Sequence, residues 1–287
     1  MLTLDDHLKN WDEAIRPGSI QERLERTERW MPYYSAMAEK QSNMIAAQSG
    51  GKRESSAPCA GHGAEAFVSM LKEHGCLDPS FTVLDIGAGS GGFSLALAPF
   101  VSRITALDPC KASLDLLIKR AMHAGADNIE CVNSPWELYD SDEQFDIAAA
   151  SMCPAICDLD ALRKMEKLAK KRCVIVTVFP SSVDPHRRRM MRELGIRPRG
   201  MVTPAGHYMS VLYALDRCPE VFRESFSSVS RITRERALEH YTKYFAVFGV
   251  DAARSADYIN GYFDRYAQDG VITEESRMDM AMITWTI

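Results

Sequence analysis

Four glycines, at 87, 89, 91 and 92, follow the apolar run Val83–Ile86 in the stretch VLDIGAGSGGFSLALA, and a segment with an apolar helical face follows them. Glycines permit a sharp turn and leave no Cβ to hold a ligand off the backbone, while the first turn of the next helix offers unpaired N–H groups and a positive dipole end. A polar or anionic molecule is the expected occupant. Gly87, Gly89 and Gly92 also fit G-x-G-x-x-G, with Asp108 about 20 residues on, where a dinucleotide's ribose ligand would lie. Glycine spacing alone does not separate these ligands. Asp85 does, because a carboxylate just before the first glycine repels a pyrophosphate and attracts an ammonium group. A ligand with a free amino group is the better fit. No Tyr-x-x-x-Lys pair occurs in the chain, which removes one common hydride-transfer arrangement.

Together, VLDIGAGSGG and ITALDP resemble the first and second motifs of class I S-adenosylmethionine-dependent methyltransferases, a resemblance that covers about Phe81 to Phe179. It implies S-adenosyl-L-methionine as cofactor and S-adenosyl-L-homocysteine as product. Carried over, it sets Asp85 near the cofactor's amino group, Gly87 and Gly89 along its methionyl part with Ala88 and Gly91 in the same turn, Asp108 on the ribose hydroxyls and Pro109 beside the adenine. After the third strand, NSPWELYD brings Ser134, Pro135 and Trp136 to the adenine side, with Ser134 where an Asp is frequent and Glu137 available to help. Trp136 either stacks on the ring or packs under the sheet edge. SMCPAICD, after the fourth strand, puts Ser151 at the cofactor and Met152 and Cys153 where cofactor and substrate meet. Cys153 lacks the partner motifs of a covalent mechanism, so a wall residue is the better reading.

A sulfonium methyl is already electrophilic, so direct in-line displacement needs alignment and exclusion of water before it needs a base. Acceptor-side groups must come from segments outside the sheet motifs: Tyr33 and Tyr34 in WMPYY, His207 and Tyr208 in GHYMSVLYAL. The competing reading is that each packs its ring and satisfies its polar atom locally. HRRRMMRELGIRPR holds six arginines from Arg187 to Arg199, which suits capture of an acidic small molecule, with Arg187 as the first candidate, or a solvated helix face.

The elements that must position these groups can be read from the pattern of apolar runs. Residues 1–48 suggest two or three helices, QSGGKRESSAPCAGHG a linker or hinge, and Ala64–His74 an amphipathic helix stopped by Gly75. FTVLDI, RITALD, NIECV, FDIAAAS and CVIVTVF then alternate with helical stretches, the βαβ signature of a buried parallel sheet. RKMEKLAKKR reads as the outer face and last turn of a sheet-covering helix. Beyond Pro180 come helices near Asp184–Leu194, His207–Leu215, Thr233–Phe248 and Ala252–Gln268, with strands near Val221–Val229 and Met278–Ile287. The aromatic pair YTKYF and YINGYFDRY reads as a seam between helices. The expected fold is α/β: a Rossmann-like, seven-stranded, mostly parallel sheet with helices on both faces, N-terminal helices and helical insertions near the C-terminal strands. The domains expected are a helical cap and linker (1–60), the cofactor-binding core (61–180) and insertions plus the last two strands (181–287).

Composition bounds the function. With 287 residues, 46% of them hydrophobic, the chain can build a full core without metal or disulfide staples. Eight scattered cysteines lack zinc-like spacing, so no metal is expected, and neither a membrane span nor a secretory leader is visible, which points to the cytoplasm. A net charge of −5 counts against nucleic acid as partner. A small-molecule methyltransferase is the leading reading. RNA or protein methylation with Arg187–Arg199 as a docking strip, and a non-catalytic cofactor binder, stay open, as does a homodimer through the outer helices.

Overall fold

Apolar runs in the sequence become the buried central strands of a sheet in the computed structural model, which describes residues 3–47, 62–179, 185–197 and 202–287. The strands are β1 (Thr82–Ile86), β2 (Arg103–Asp108), β3 (Ile129–Asn133), β4 (Phe145–Ser151), β5 (Ala169–Val178), β6 (Glu220–Thr233) and β7 (Val271–Thr286), of which β1, β2 and β4 are the most deeply buried, and they form one sheet in the order β3-β2-β1-β4-β5-β7-β6. β1 to β5 pair in parallel, and β7 runs antiparallel to β5. Chain order reverses between β1 and β4, the place where open α/β sheets bind ligands beyond their carboxyl ends.

The helices are α1 (Leu4–Ile15), α2 (Ile20–Ala47), α3 (His62–Glu73), α4 (Gly92–Leu97), α5 (Lys111–Ala124), α6 (Leu159–Leu168), α7 (Pro185–Glu193), α8 (Ala205–Ala214), α9 (Arg234–Ala246) and α10 (Ala252–Tyr266). Local chemistry sets their ends. A capping box of Thr3 and Asp6 opens α1, Asp158 accepts the Ala161 N–H at 2.8 Å to open α6, and Gly125 closes α5 in the left-handed region at φ 69°.

By internal packing the chain divides into two units, Met1–Pro180 with Arg199–Glu224 and Asp279–Ile287, and Ser181–Pro198 with Ser225–Met278. The first holds the main core, in which Leu84, Ile86, Phe145, Met165, Ile283 and Trp285 are buried. Trp11 of α1 meets Tyr208 of α8 edge-on at 5.4 Å. The second contains the aromatic seam of α9 and α10, where Tyr241, Tyr244, Phe245, Tyr262 and Phe263 are buried at the helical spacing visible in the sequence.

Two readings change and one, the N-terminal helices, is narrowed. The N-terminal region is two helices, one of them 28 residues long with Pro32 inside it. The last two strands are longer than expected, because the alternation of half-exposed residues along β6 and the charged start of β7 hide their strand character. Lys170, Lys171 and Arg172 belong to β5, not to the last turn of α6. Lys171 reaches Asp146 at 3.1 Å and lies over the Phe81 ring at 3.8 Å, so the basic residues sit at a partly exposed strand start that hydropathy alone assigns to the helix before it. The linker reading falls largely on residues 48–61, and part of the arginine segment on 198–199, outside the described residues. No helix among the described residues is long and apolar enough to cross a membrane.

Glu166 ties α6 to the last strand. Its Oε1 accepts the Trp285 indole N–H at 2.9 Å and the Arg217 Nε at 2.9 Å, and its Oε2 accepts Arg217 Nη2 at 3.2 Å. Glu166→Ala leaves a buried indole N–H without an acceptor and should cost about 2 kcal/mol of stability, with Glu166→Gln less damaging. The urea unfolding midpoint measures both; an unchanged midpoint in the alanine variant would refute this account of the Trp285 anchor.

Candidate functional site

A cavity of about 260 Å3 opens where β1, β2, β3 and β4 end, at the reversal of strand order. Its floor is the glycine turn. The N–H groups of Gly87 and Ala88 both donate to the Leu107 carbonyl, at 2.8 and 3.0 Å, so the turn after β1 is bound to the end of β2. The glycines have separate reasons. Gly87, at φ 73°, would bring a Cβ to 2.6 Å from Cys153 Sγ, and Gly91, at φ 82°, would drive one to 2.0 Å from Leu117. Gly89, at φ 54°, lines the cavity and would meet no atom within 4 Å, so that side of its backbone is open to a ligand.

Asp108 ends β2 at the cavity wall. Its Oδ2 accepts the Gly89 N–H and its Oδ1 the Cys110 N–H, each at 2.8 Å, and each oxygen keeps acceptor capacity. Burial pushes its pKa upward against the pull of these two bonds, and the net shift is up. The Asn133 side chain steadies the same corner by donating to the carbonyls of Asp108 and Pro109, at 3.0 and 2.9 Å.

Asp85 lies deeper than its expected role suggests. It is fully buried and absent from the cavity lining; its Oδ2 accepts the Ser94 hydroxyl at 2.5 Å, while its Oδ1 has no hydrogen-bond partner. Burial raises its pKa to about 6, against the Ser94 hydrogen bond and with help from nearby Asp108.

Pro109, Ser134, Pro135, Trp136, Met152 and Cys153 all line the cavity. Trp136 combines the two readings open to it, being buried and at the same time a cavity wall. Lys164 of α6 fixes it from behind, donating to the Trp136 carbonyl at 2.6 Å with its ammonium 4.4 Å from the ring centroid. Met152 takes a left-handed backbone at φ 53°, strain that other residues must hold in place as the chain leaves β4. The Cys153 thiol is buried and pushed up to about 12, so it stays protonated at neutral pH and is no nucleophile.

Several expected residues lie elsewhere. Ala88, Gly91 and Ser151 are not part of the lining, and Ser151 pairs with Val176 in the β4–β5 ladder. Tyr208 is a core residue whose hydroxyl donates to the Ile156 carbonyl at 2.5 Å and whose pKa burial drives up. His207 and Tyr33 do not line the cavity either; burial lowers the His207 pKa, and the Tyr33 ring meets Trp30 edge-on at 5.6 Å. Arg187 belongs to α7 in the second unit, whereas every lining residue belongs to the first.

Of the four acceptor-side candidates Tyr34 alone lines the cavity, and it does so within a stripe of α2 that the sequence reading passed over: Arg23, Arg26, Thr27, Trp30 and Met31. The positions recur at three- and four-residue steps, one face of a helix. Trp30 stacks on Tyr34 at 5.4 Å and 21°. Arg23 donates to Asp158, and its Nε lies 3.9 Å from Glu137. Arginines interleaved with aromatic residues on that face were the available signal. Among the described residues no three His, Cys, Asp or Glu side chains converge as a metal site.

Residues 83–172 match the family model described as a methyltransferase domain. The chain is 36% identical over 85 residues to the cypemycin N-terminal methyltransferase of Streptomyces sp., covering 30% of this chain and 33% of that protein. The chain spans about a third of the length of the curated relatives it matches. Magnesium protoporphyrin IX methyltransferase from Synechocystis, solved with bound SAH, is similar in structure at a TM-score of 0.53 and 11% identity, covering 89% of this chain and 99% of that one. The YcgJ protein of Bacillus subtilis is similar at 0.51 and 18%, covering 76% and 97%. At these identities the likeness is one of fold, Rossmann-like α/β.

The Asp85 site has a measurable signature. Its folded-state pKa of about 6 lies above the ordinary carboxylate value, so the native state holds a proton that the unfolded chain releases. The stability this contributes is full below about pH 4 and is lost as pH rises through 6. Without ligand, the wild type should lose roughly 3 kcal/mol relative to Asp85→Asn between pH 4 and pH 7. Parallel stability curves for the two proteins over that range would show that Asp85 does not titrate as described.

Proposed function

We propose that this chain, in which residues 83–172 match the model of a methyltransferase domain, transfers a methyl group from S-adenosyl-L-methionine to a small molecule and releases S-adenosyl-L-homocysteine. The observation that carries the reading is Asp108, held by two backbone N–H groups at the end of β2 beside the open face of Gly89. A carboxylate with spare acceptor capacity suits two vicinal ribose hydroxyls. In this reading Pro109, Ser134, Pro135 and Trp136 wall the adenine, and Gly87 and Gly89 let the backbone approach the methionyl chain. Asp85, behind the turn with one oxygen unpaired, favours an ammonium in front of it through space.

When bound, the cofactor supplies a sulfonium methyl that needs no further activation. The chain's own contribution is orientation and the exclusion of water. Met152, Cys153 and Pro154 close one side at the end of β4, and the α2 stripe covers the mouth. Orientation of this kind is worth effective molarities on the order of 10⁵ M or more. Tyr34 is the acceptor-side group, and no covalent step passes through the protonated Cys153. A cavity of about 260 Å3 with a helix along one wall supports a small acceptor rather than a polymer. All seven described cysteines are free thiols, which supports a reducing compartment, and we place the protein in the cytoplasm.

Asp108→Ala should weaken S-adenosyl-L-homocysteine binding by about 1 to 3 kcal/mol, with Asp108→Asn between it and the wild type. Calorimetry measures the affinities and thermal unfolding checks that the variants fold; unchanged affinity in a folded alanine variant would sink the assignment. Incubation of the protein and methyl-labelled cofactor with a cell extract should place label on a low-mass product. Label confined to protein or RNA would overturn the small-molecule acceptor.

A further inference from the structure

The two arginines on the cavity face of α2 differ in their counter-charges. Arg23 is compensated, by Asp158 and Glu137. Arg26 lies one turn further on, half-buried and lining the same cavity, and it donates to the Pro17 carbonyl at 2.9 Å. Among the described residues no carboxylate lies within ion-pair distance of Arg26. A guanidinium is a planar fork of donors, and Pro17 takes only one of them. The turn that supplies this carbonyl passes through left-handed backbone at Arg16 (φ 51°) and Gly18 (φ 75°), so the fork is held by a built feature and not by a free surface chain. A half-buried cation that faces a cavity and has no carboxylate within ion-pair distance is set up for an anion, and its geometry suits a carboxylate.

We propose that Arg26 captures the carboxylate at the amino-acid end of the cofactor. This rests on the reading of the cavity as a site for S-adenosyl-L-methionine. With Asp108 taken by the ribose, the carboxylate is the one anionic group that an amino-acid nucleoside of this kind presents. The charges of the lining agree: Glu137 is matched by Arg23, which leaves Asp108 for hydroxyls and Arg26 for an anion. Capture from α2 ties the covering helix to the ligand itself.

Two ligands separate this from a merely structural role. S-adenosyl-L-homocysteine carries the amino-acid end, and 5′-methylthioadenosine has the adenine, ribose and sulfur without it. In calorimetry Arg26→Gln should bind S-adenosyl-L-homocysteine about 10- to 100-fold more weakly and 5′-methylthioadenosine within about twofold of the wild type, with Arg26→Lys recovering part of the loss. Equal losses for both ligands would make Arg26 a support for the helix and overturn the proposal. Undiminished S-adenosyl-L-homocysteine binding would overturn it too, while leaving the cofactor reading intact. A wild-type protein that binds neither ligand would remove the cofactor reading and this inference together.

Discussion

The cavity depends on one set of main-chain bonds, those that join the turn after β1 to the end of β2. Two successive N–H groups, of Gly87 and Ala88, share the Leu107 carbonyl, and the next glycine's N–H is taken by the Asp108 side chain. Side chains on the turn would collide with Cys153 or Leu117, so only glycine permits the approach at 87 and 91. From that knot the remaining features follow in order. Asp108 is aimed by the N–H groups it accepts, Asn133 holds the carbonyls behind it, and the β3 edge brings Trp136 alongside.

The parallel sheet was legible because strands covered on both faces do not alternate polar and apolar residues, and β1, β2 and β4 read as mostly apolar runs without that alternation. The glycine turn and Asp108 were legible for a different reason, since backbone strain and close approach leave a narrow choice of residues. The lid face was not. Arg23, Arg26 and Trp30 occupy a helix whose period is plain, but nothing local tells a face over a cavity from a face over solvent. Tyr208 failed as an acceptor-side candidate for the same reason in reverse. A tyrosine between apolar neighbours looks alike whether its hydroxyl meets a ligand or, as here, the carbonyl of Ile156. The start of β5 was assigned to the preceding helix because three basic residues at a strand's exposed end mimic a helix C-terminus.

Charge is distributed in and behind the cavity by depth. Asp85 is buried and half satisfied, Asp108 is at the wall with both oxygens engaged, and Arg23 and Arg26 are on the covering helix. On the reading proposed above, a ligand bearing an ammonium, a diol and a carboxylate would have a complementary group at each level, with Asp85 acting from behind the glycine turn. A diphosphate would face Asp85 and Asp108 across the same turn, where the low local dielectric makes repulsion expensive.

Asp158 does two jobs with separate oxygens: Oδ1 caps α6 through the Ala161 N–H, and Oδ2 receives Arg23 from α2. Arg23 lies by Glu137 as well, so the start of α2 is held to the cavity rim by two carboxylates, and loss of that contact would leave the cap of α6 in place.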